Sequence, residues 1–365
     1  MNYPALRRER LARCLDAEQI DAVLVSHPVN VTYLTGFTGD SSFLVLTRGQ
    51  TILVSDGRYA EQIAEECPGL ETYIRPPGQP PLAAAAQTIE RLGSRAVGFE
   101  SGHVTVAEFE RLHDLLKAVD LKPGPDRVEK MRAVKDASEL AQIREAIVMA
   151  EKAFAMFRSM LRPSDPEKEL HDAMERYIRR AGGKCSAFPP IVAVGPRSAL
   201  PHAPPTAHTV AEGVVVLVDW GASGPLYKCD LTRVLLARKD SPDLMARIER
   251  VYQVVRTAQE TAIRAIRPGV AAKDVDAAAR TVIAEAGFGP FFSHGLGHGI
   301  GLVVHEAPSL KASSPDVLEP GMVVTVEPGI YLTGEFGIRL EDDVLVTPDG
   351  CEVLTHVPKD WPPLL

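Results

Sequence analysis

Apolar residues recur at helical spacing over two long stretches of this chain. Ile143, Ile147, Ala150, Phe154 and Phe157 form one stripe, and Ile248, Val251, Val255, Ala258 and Ile263 form the other. That period predicts two long helices, each with one buried face. The first opens at Asp136 with Glu139 three residues on, a capping-box start. Each stripe is broken by an Arg-Pro pair, Arg162-Pro163 and Arg267-Pro268, because proline removes a helical amide donor. A second helical stretch follows each break and closes at Ala181-Gly182 and Ala286-Gly287. Short valine-rich runs come next, Val214 to Val218 and Met322 to Val326, and read as fully buried strands.

The two stretches therefore form an internal repeat, the first thing to seek in a chain of this length. Arg162 to Gly182 is the same distance as Arg267 to Gly287, and each unit reads helix, helix, strand pair. The repeat predicts two halves related by a pseudo-twofold axis. Each valine run stops at an acid, Asp219 and Glu327, and each is followed by a second acid in an extended segment, Asp230 and Glu341. Unpaired carboxylates at the edge of a core are costly, so four of them pointing inward call for cations.

The first 120 or so residues have a different rhythm. Strand-like runs at Ile20–Ser26, Phe43–Leu46, Ile52–Ser55, Tyr73–Ile74 and Val97–Phe99 alternate with helix-like stretches. Those stretches run from Leu6 to Leu15, Arg58 to Glu66, Leu82 to Leu92 and Val106 to Val119. The alternation predicts an α/β domain with helices over a sheet. Pro76 to Pro81 reads as a surface loop within it, and Lys122-Pro123-Gly124-Pro125 as its end. The expected domains are therefore 1–124 and 125–365.

Composition narrows the function. At 365 residues with 45% hydrophobic content the chain is globular and long enough for two domains. A net charge of -8 without runs of Lys or Arg argues against a general nucleic-acid binder. Cys14, Cys67, Cys185, Cys229 and Cys351 are odd in number and widely spaced, so neither a disulfide framework nor a thiolate zinc site is indicated. Inert core positions in a reducing compartment are expected for them. No stretch is long and apolar enough for a membrane span, and the charged N-terminus lacks an apolar signal region. A cytoplasmic enzyme with no membrane partner is expected. There is no Gly-x-Ser-x-Gly elbow and no phosphate loop.

The remaining chemistry lies in Ser293-His294-Gly295-Leu296-Gly297-His298-Gly299-Ile300-Gly301, followed by His305. Alternating glycines disfavour a helix and suit a loop whose backbone approaches another group closely. His298 and His305 are separated by an odd number of residues, so the segment must bend if both serve one site. Asp219, Asp230, His298, Glu327 and Glu341 together would hold two divalent ions. Four carboxylates nearly cancel two such charges and leave room for one hydroxide as nucleophile. Oxygen-rich ligation with one imidazole suits Mn, with Co, Zn or Fe as alternatives, and a two-ion centre is hydrolytic.

These motifs, with Glu327-Pro328-Gly329-Ile330-Tyr331 and Arg339-Leu340-Glu341-Asp342-Asp343, resemble the pita-bread metallopeptidases. The proline-specific aminopeptidase P and prolidase types are most similar. Asn30 to Gly39 and Ser55 to Tyr59 resemble the creatinase-type N-terminal domain of those enzymes. The resemblance implies an α/β N-terminal domain followed by an α+β pita-bread catalytic domain. It implies that Asp219 binds one ion, that His298 and Glu327 bind the other, and that Asp230 and Glu341 bridge. It further implies that His202 and His305 contact substrate and stabilise the tetrahedral intermediate, and that Glu327 shuttles a proton.

Arg339 lies two residues before Glu341 and would share its face, there to orient the bridging carboxylate or meet a substrate carboxylate. His294 ranks below the other histidines, as a substrate-side or supporting group. Glu306, Asp342 and Asp343 are expected to be solvated or supporting. The implied reaction is removal of a residue preceding proline, from a peptide with proline in second position, by a homodimeric enzyme. Strict dipeptidase action is the first alternative. A metal-free creatinase-like C–N hydrolase, a methionine aminopeptidase and a non-catalytic binding protein fall below it, because the acidic set is complete and an N-terminal domain is present.

Overall fold

The computed structural model describes residues 2–360, which divide into two compact units between Arg132 and Ala133. The first holds α1 (Tyr3–Cys14), β1 (Ala22–Val25), α2 (Pro28–Thr35), β2 (Phe43–Thr47), β3 (Thr51–Asp56), α3 (Ala60–Glu66) and β4 (Glu71–Arg75). It continues with α4 (Pro81–Arg91), β5 (Ala96–Glu100), α5 (Val106–Leu115), β6 (Asp120–Gly124) and α6 (Arg127–Ala133), whose last residue is the first of the second unit. Its six strands form one mixed sheet in the order β4-β3-β2-β1-β5-β6. Leu24, Val45, Ile52 and Val97 of that sheet pack with Ala85 and Ile89 of α4.

The boundary read near residue 124 falls inside this unit. Lys122-Pro123-Gly124 looks like a linker, yet β6 pairs in parallel with β5, Phe99 opposite Pro123 and Glu100 opposite Gly124. β6 is an edge strand, where a missing proline amide is tolerated. Helix α2 overlaps the Asn30 to Gly39 segment, which periodicity did not mark as helical. It begins at Pro28 and ends at Gly36 in the left-handed conformation (φ 86°), as helix start and stop chemistry favours.

The second unit contains α7 (Ala137–Met160), α8 (Glu167–Arg180), β7 (Cys185–Ser186), β8 (Ile191–Val194), β9 (Val215–Trp220), β10 (Ala222–Ser223) and β11 (Leu231–Leu236). These are followed by α9 (Pro242–Ala265), α10 (Ala272–Glu285), β12 (Gly297–Gly299), β13 (Glu306–Leu310), β14 (Val323–Val326), β15 (Gly329–Leu332), β16 (Phe336–Arg339), β17 (Asp342–Val346) and β18 (Cys351–Val353). The expected capping box opens α7: Asp136 Oδ1 accepts from the amides of Ser138 and Glu139, and the Asp136 amide donates to Glu139. Both long helices stop just before their Arg-Pro pair.

The repeat is present as α7, α8 and the β9/β11 pair against α9, α10 and the β14/β17 pair. Both strand pairs are antiparallel. Strand order is β11-β9-β8 in one sheet and β13-β12-β14-β17-β18 in the other. Every residue of β9, β11, β14 and β17 is buried. The stripe on α9 packs with Val215 and Leu217 of β9 and Val324 and Val326 of β14. On α7, Phe154 stacks on Trp220 at 4.2 Å, and the Trp220 indole donates to the Ala150 carbonyl. The valine runs of β9 and β14 are thus buried in a core shared with the long helices.

Among the described residues no helix is long and apolar enough to cross a membrane. All five cysteines are free, but only Cys67 and Cys229 are buried. The other three do not occupy the core positions expected of them.

Candidate metal centre

The strands deliver the five expected ligands to one buried place. Asp219 is the fifth residue of β9, and Asp230 lies immediately before β11. Glu327 follows β14 directly, Glu341 directly precedes β17, and His298 is the middle residue of β12. One donor atom from each of Asp230, His298 and Glu341 lies within 4.8 Å of the others. His298 Nε2 stands 3.3 Å from Glu327 Oε1 and 4.0 Å from Asp230 Oδ2. Asp219 is joined to Arg339, whose Nη2 donates to Asp219 Oδ2 at 2.5 Å.

The electrostatics of this group are those of a site short of positive charge. Burial and then the repulsion of neighbouring acids push Asp230 and Glu341 well above the usual carboxylate range. Burial also raises Asp219, although Arg339 opposes it. Glu327 is desolvated too, but its hydrogen bond with His298 and the nearby positive groups hold it below its ordinary value. His298 rises in turn, because Glu327 outweighs the burial that disfavours its charge. Asp343, whose Oδ2 accepts from the Asp230 amide at 3.1 Å, is pushed up to about 8 by burial.

Asp219 Oδ1 and Asp230 Oδ1 are buried and take no hydrogen bond from any described residue. An orphaned carboxylate oxygen in a low-dielectric site is costly unless a cation meets it. Four carboxylates and one imidazole are a donor set suited to divalent transition ions. The residues therefore fit a metal centre.

Supporting groups fix the candidate ligands. The Thr232 hydroxyl donates to Glu341 Oε2 at 2.6 Å, and Arg339 Nε donates to that hydroxyl at 3.1 Å. Thr325 Oγ1 accepts from the His298 amide and donates to Glu327 Oε1. β12 runs close enough to β14 that a Cβ on Gly297 would strike the Thr325 carbonyl, which explains one glycine of the alternating run. The odd spacing of His298 and His305 is absorbed by an irregularity in the β12/β13 register after His298. Their rings meet edge to face at 4.2 Å.

A cavity of about 850 Å³ opens over the acids, with His202, His294 and His305 on its wall. His202 and His305 are exposed to it. His294 is engaged at both nitrogens, Nδ1 with the Gly295 carbonyl and Nε2 with the Tyr331 hydroxyl, each at 2.8 Å. Tyr331 also accepts from Arg339 Nη1 at 3.0 Å. His294 is thus tied through Tyr331 to Arg339 and Asp219. Arg339 reaches Asp219 and Thr232, and touches Glu341 only through the Thr232 hydroxyl.

Glu306, Asp342 and Asp343 are not solvated. Glu306 is paired with Lys135, and Asp342 with Arg233 and Lys359. Thr232, Thr325 and Tyr331 were missed as site residues. Tyr331 lies in the Glu-Pro-Gly-Ile-Tyr string, but neither threonine carries a signal until strand register is known.

Residues 141–348 match the model of Metallopeptidase family M24, and residues 7–134 match that of the Creatinase/Prolidase N-terminal domain. The chain belongs to metallopeptidase family M24. The M24 chain is similar to the uncharacterized peptidase YqhT of Bacillus subtilis, 36% identical over 97% of this chain and 99% of that one. Among solved structures it resembles an Xaa-Pro dipeptidase from Bacillus anthracis, with TM-score 0.91, 34% identity and coverage of 98% and 99%. An X-Pro aminopeptidase from Thermotoga maritima gives TM-score 0.88, 35% identity and coverage of 97% and 99%. A prolidase from Pyrococcus horikoshii gives 0.90, 30% and coverage of 97% and 99%. The M24 fold is the expected one, a creatinase-type α/β domain followed by a pita-bread α+β domain, and the enzyme is a metallo-exopeptidase.

Proposed function

We propose that this M24 enzyme hydrolyses the bond between an N-terminal residue and a following proline, using two divalent ions held by Asp219, Asp230, His298, Glu327 and Glu341. The observation that carries the reading is the convergence of those five side chains, two of them with orphaned buried oxygens, beneath a cavity walled by histidines. When bound, the ions supply Lewis acidity and a lowered pKa for water. Manganese is the first candidate, with cobalt, zinc or iron as alternatives.

The chain's own residues do the rest. Glu327, hydrogen-bonded to Thr325 and facing His298, takes up a proton and returns it to the leaving nitrogen. His202 and His305 present N–H donors where negative charge develops on the carbonyl oxygen. Arg339 orients Asp219 and favours its charged form against the burial that opposes it. Phe188, Pro189, Pro204, Pro205 and Val304 give the cavity an apolar wall suited to a proline ring.

Preference for proline is supported by the matched structures, whose names are those of Xaa-Pro peptidases. We place aminopeptidase action first, since about 850 Å³ is more room than a dipeptide requires. Dipeptidase action is the second reading, favoured by the whole-chain likeness to the Bacillus anthracis enzyme. A cytoplasmic homodimer completes the proposal, the five free cysteines fitting a reducing compartment.

The test is to strip metal, restore Mn, Co or Zn separately, and compare Xaa-Pro dipeptides, longer Xaa-Pro peptides and Xaa-Ala controls. Metal-restored cleavage of Xaa-Pro peptides alone is expected. Turnover without metal would reject the mechanism, and equal cleavage of Xaa-Ala would reject the proline assignment. Cleavage confined to dipeptides would select the second reading.

A further inference from the structure

The loop from Gly301 to His305 is fastened by two lysines from distant parts of the sequence. Lys135, just ahead of α7, has a fully buried side chain whose Nζ lies 2.8 Å from Glu306 Oε1 and donates also to the Ala133 carbonyl. The Glu306 side chain is itself only 4% exposed, and Gly301 leaves room for its carboxylate, since a Cβ there would collide with it. Lys228 donates its amide to the Gly301 carbonyl at 2.9 Å and its Nζ to the Leu302 carbonyl at 2.8 Å. The Gly301 amide reaches the Val303 carbonyl at 3.1 Å and closes the turn.

His305 adjoins Glu306 and faces the cavity. Its ring takes no hydrogen bond from any described residue and rests only edge-on against His298. A side chain with no polar restraint of its own is aimed by the backbone that carries it. The next residue, Glu306, is held at its backbone by pairing with Gly299 and at its carboxylate by the ion pair with Lys135.

We infer that the buried Lys135–Glu306 pair is the positioning device for His305, and that Lys135 is a positioning residue for the reaction although it does not touch the cavity. The inference rests on the reading of His305 as a substrate-side group. The anchor is dry, so removing the ammonium from beside the buried carboxylate is costly and the loop would shift. Small displacements of a substrate-contacting group carry large costs in rate.

The experiment compares wild type, K135M, K135R, H305A and the double variant K135M/H305A, loaded with manganese, on an Xaa-Pro peptide, with bound metal measured in each. K135M is expected to lower kcat/KM roughly 10- to 100-fold at unchanged metal content, and K135R to recover most of it. In the H305A background K135M should cost nothing further, because the group it positions is gone. E306Q, which keeps an oxygen acceptor for Lys135 and removes only charge, should repeat the pattern at smaller size and carries the test if K135M does not fold. Equal losses in both backgrounds, or loss of metal, would overturn the inference alone. Wild-type activity in H305A would overturn the reading of His305 and this inference with it.

Discussion

Thr232 and Glu341 occupy the same register position in the two strand pairs, and they meet each other. Asp219 stands opposite Thr232 in β9/β11, and Val326 opposite Asp342 in β14/β17, so the next position outward sets Glu327 opposite Glu341. The Glu341 amide donates to the Thr232 carbonyl at 3.2 Å, and the Thr232 hydroxyl donates to the Glu341 carboxylate at 2.6 Å. Equivalent positions that touch lie on the pseudo-twofold axis.

Replacing Thr232 by Val keeps the shape and removes that hydroxyl. Glu341 loses a donor and Arg339 Nε loses an acceptor, both buried. The expected cost is about 1–3 kcal/mol of stability and roughly 10- to 100-fold in metal affinity. Thermal unfolding and competition with a chelator measure the two effects. Unchanged affinity would show that Glu341 needs no such support.

The duplicated backbone was legible in the sequence, but its side-chain correspondence was only half so. Asp219 and Glu327 are true mates because valine runs of equal length lead into them. Asp230 is not the mate of Glu341: it lies two residues before Thr232, so its counterpart is Arg339. A repeat fixes where strands run, whereas register decides which side chains meet, and register depends on pairings remote in sequence. The burial of Asp342 was hidden for the same reason, since Arg233 and Lys359 that neutralise it are adjacent only in the fold. β6 was hidden by Pro123-Gly124, residues that fit an edge strand as well as a linker.

Tyr331 transmits the placement of Arg339 to His294, and this makes Y331F informative. His294 Nδ1 can only donate to the Gly295 carbonyl, so Nε2 of the neutral ring accepts from the Tyr331 hydroxyl. Burial lowers the His294 pKa and favours that neutral form. In Y331F both His294 and Arg339 lose a partner. We expect a loss of about 1–3 kcal/mol in stability, and a lower kcat/KM as Asp219 loosens. Stability falling without any change in activity would confine Tyr331 to a structural role.

Lys311 is an exposed cation on the cavity wall, where the carboxylate of a short substrate would meet it. The interaction is with a solvated group, so its size is about 0.5–1 kcal/mol, roughly two- to fivefold in KM. K311M should raise KM for Xaa-Pro dipeptides while leaving the corresponding amides unaffected, and K311E should do so more strongly. Equal changes for acid and amide would remove Lys311 from substrate recognition.

Metal-free protein should become less stable as pH rises through neutrality, and metal should abolish that loss. Asp230, Glu341 and Asp219 have folded pKa values raised by burial, and Asp343 is pushed up to about 8. Between the ordinary carboxylate range near 4 and those raised values, the folded metal-free chain holds more protons than the unfolded chain. Stability then falls with increasing pH. His298, also raised, acts in the same sense above its ordinary value near 6.5. Glu327 and Asp342, which are lowered, contribute stability that is lost only on acidification below the ordinary carboxylate range. Divalent ions replace the shared protons and cancel the repulsion, so the gap in Tm between manganese-loaded and stripped protein should widen from pH 5.5 to pH 8. Metal affinity should weaken on acidification over the same range, because protons compete for Asp230 and Glu341. Scanning calorimetry of both forms across that range decides the matter: a gap that narrows with rising pH would mean that these acids do not share a cation.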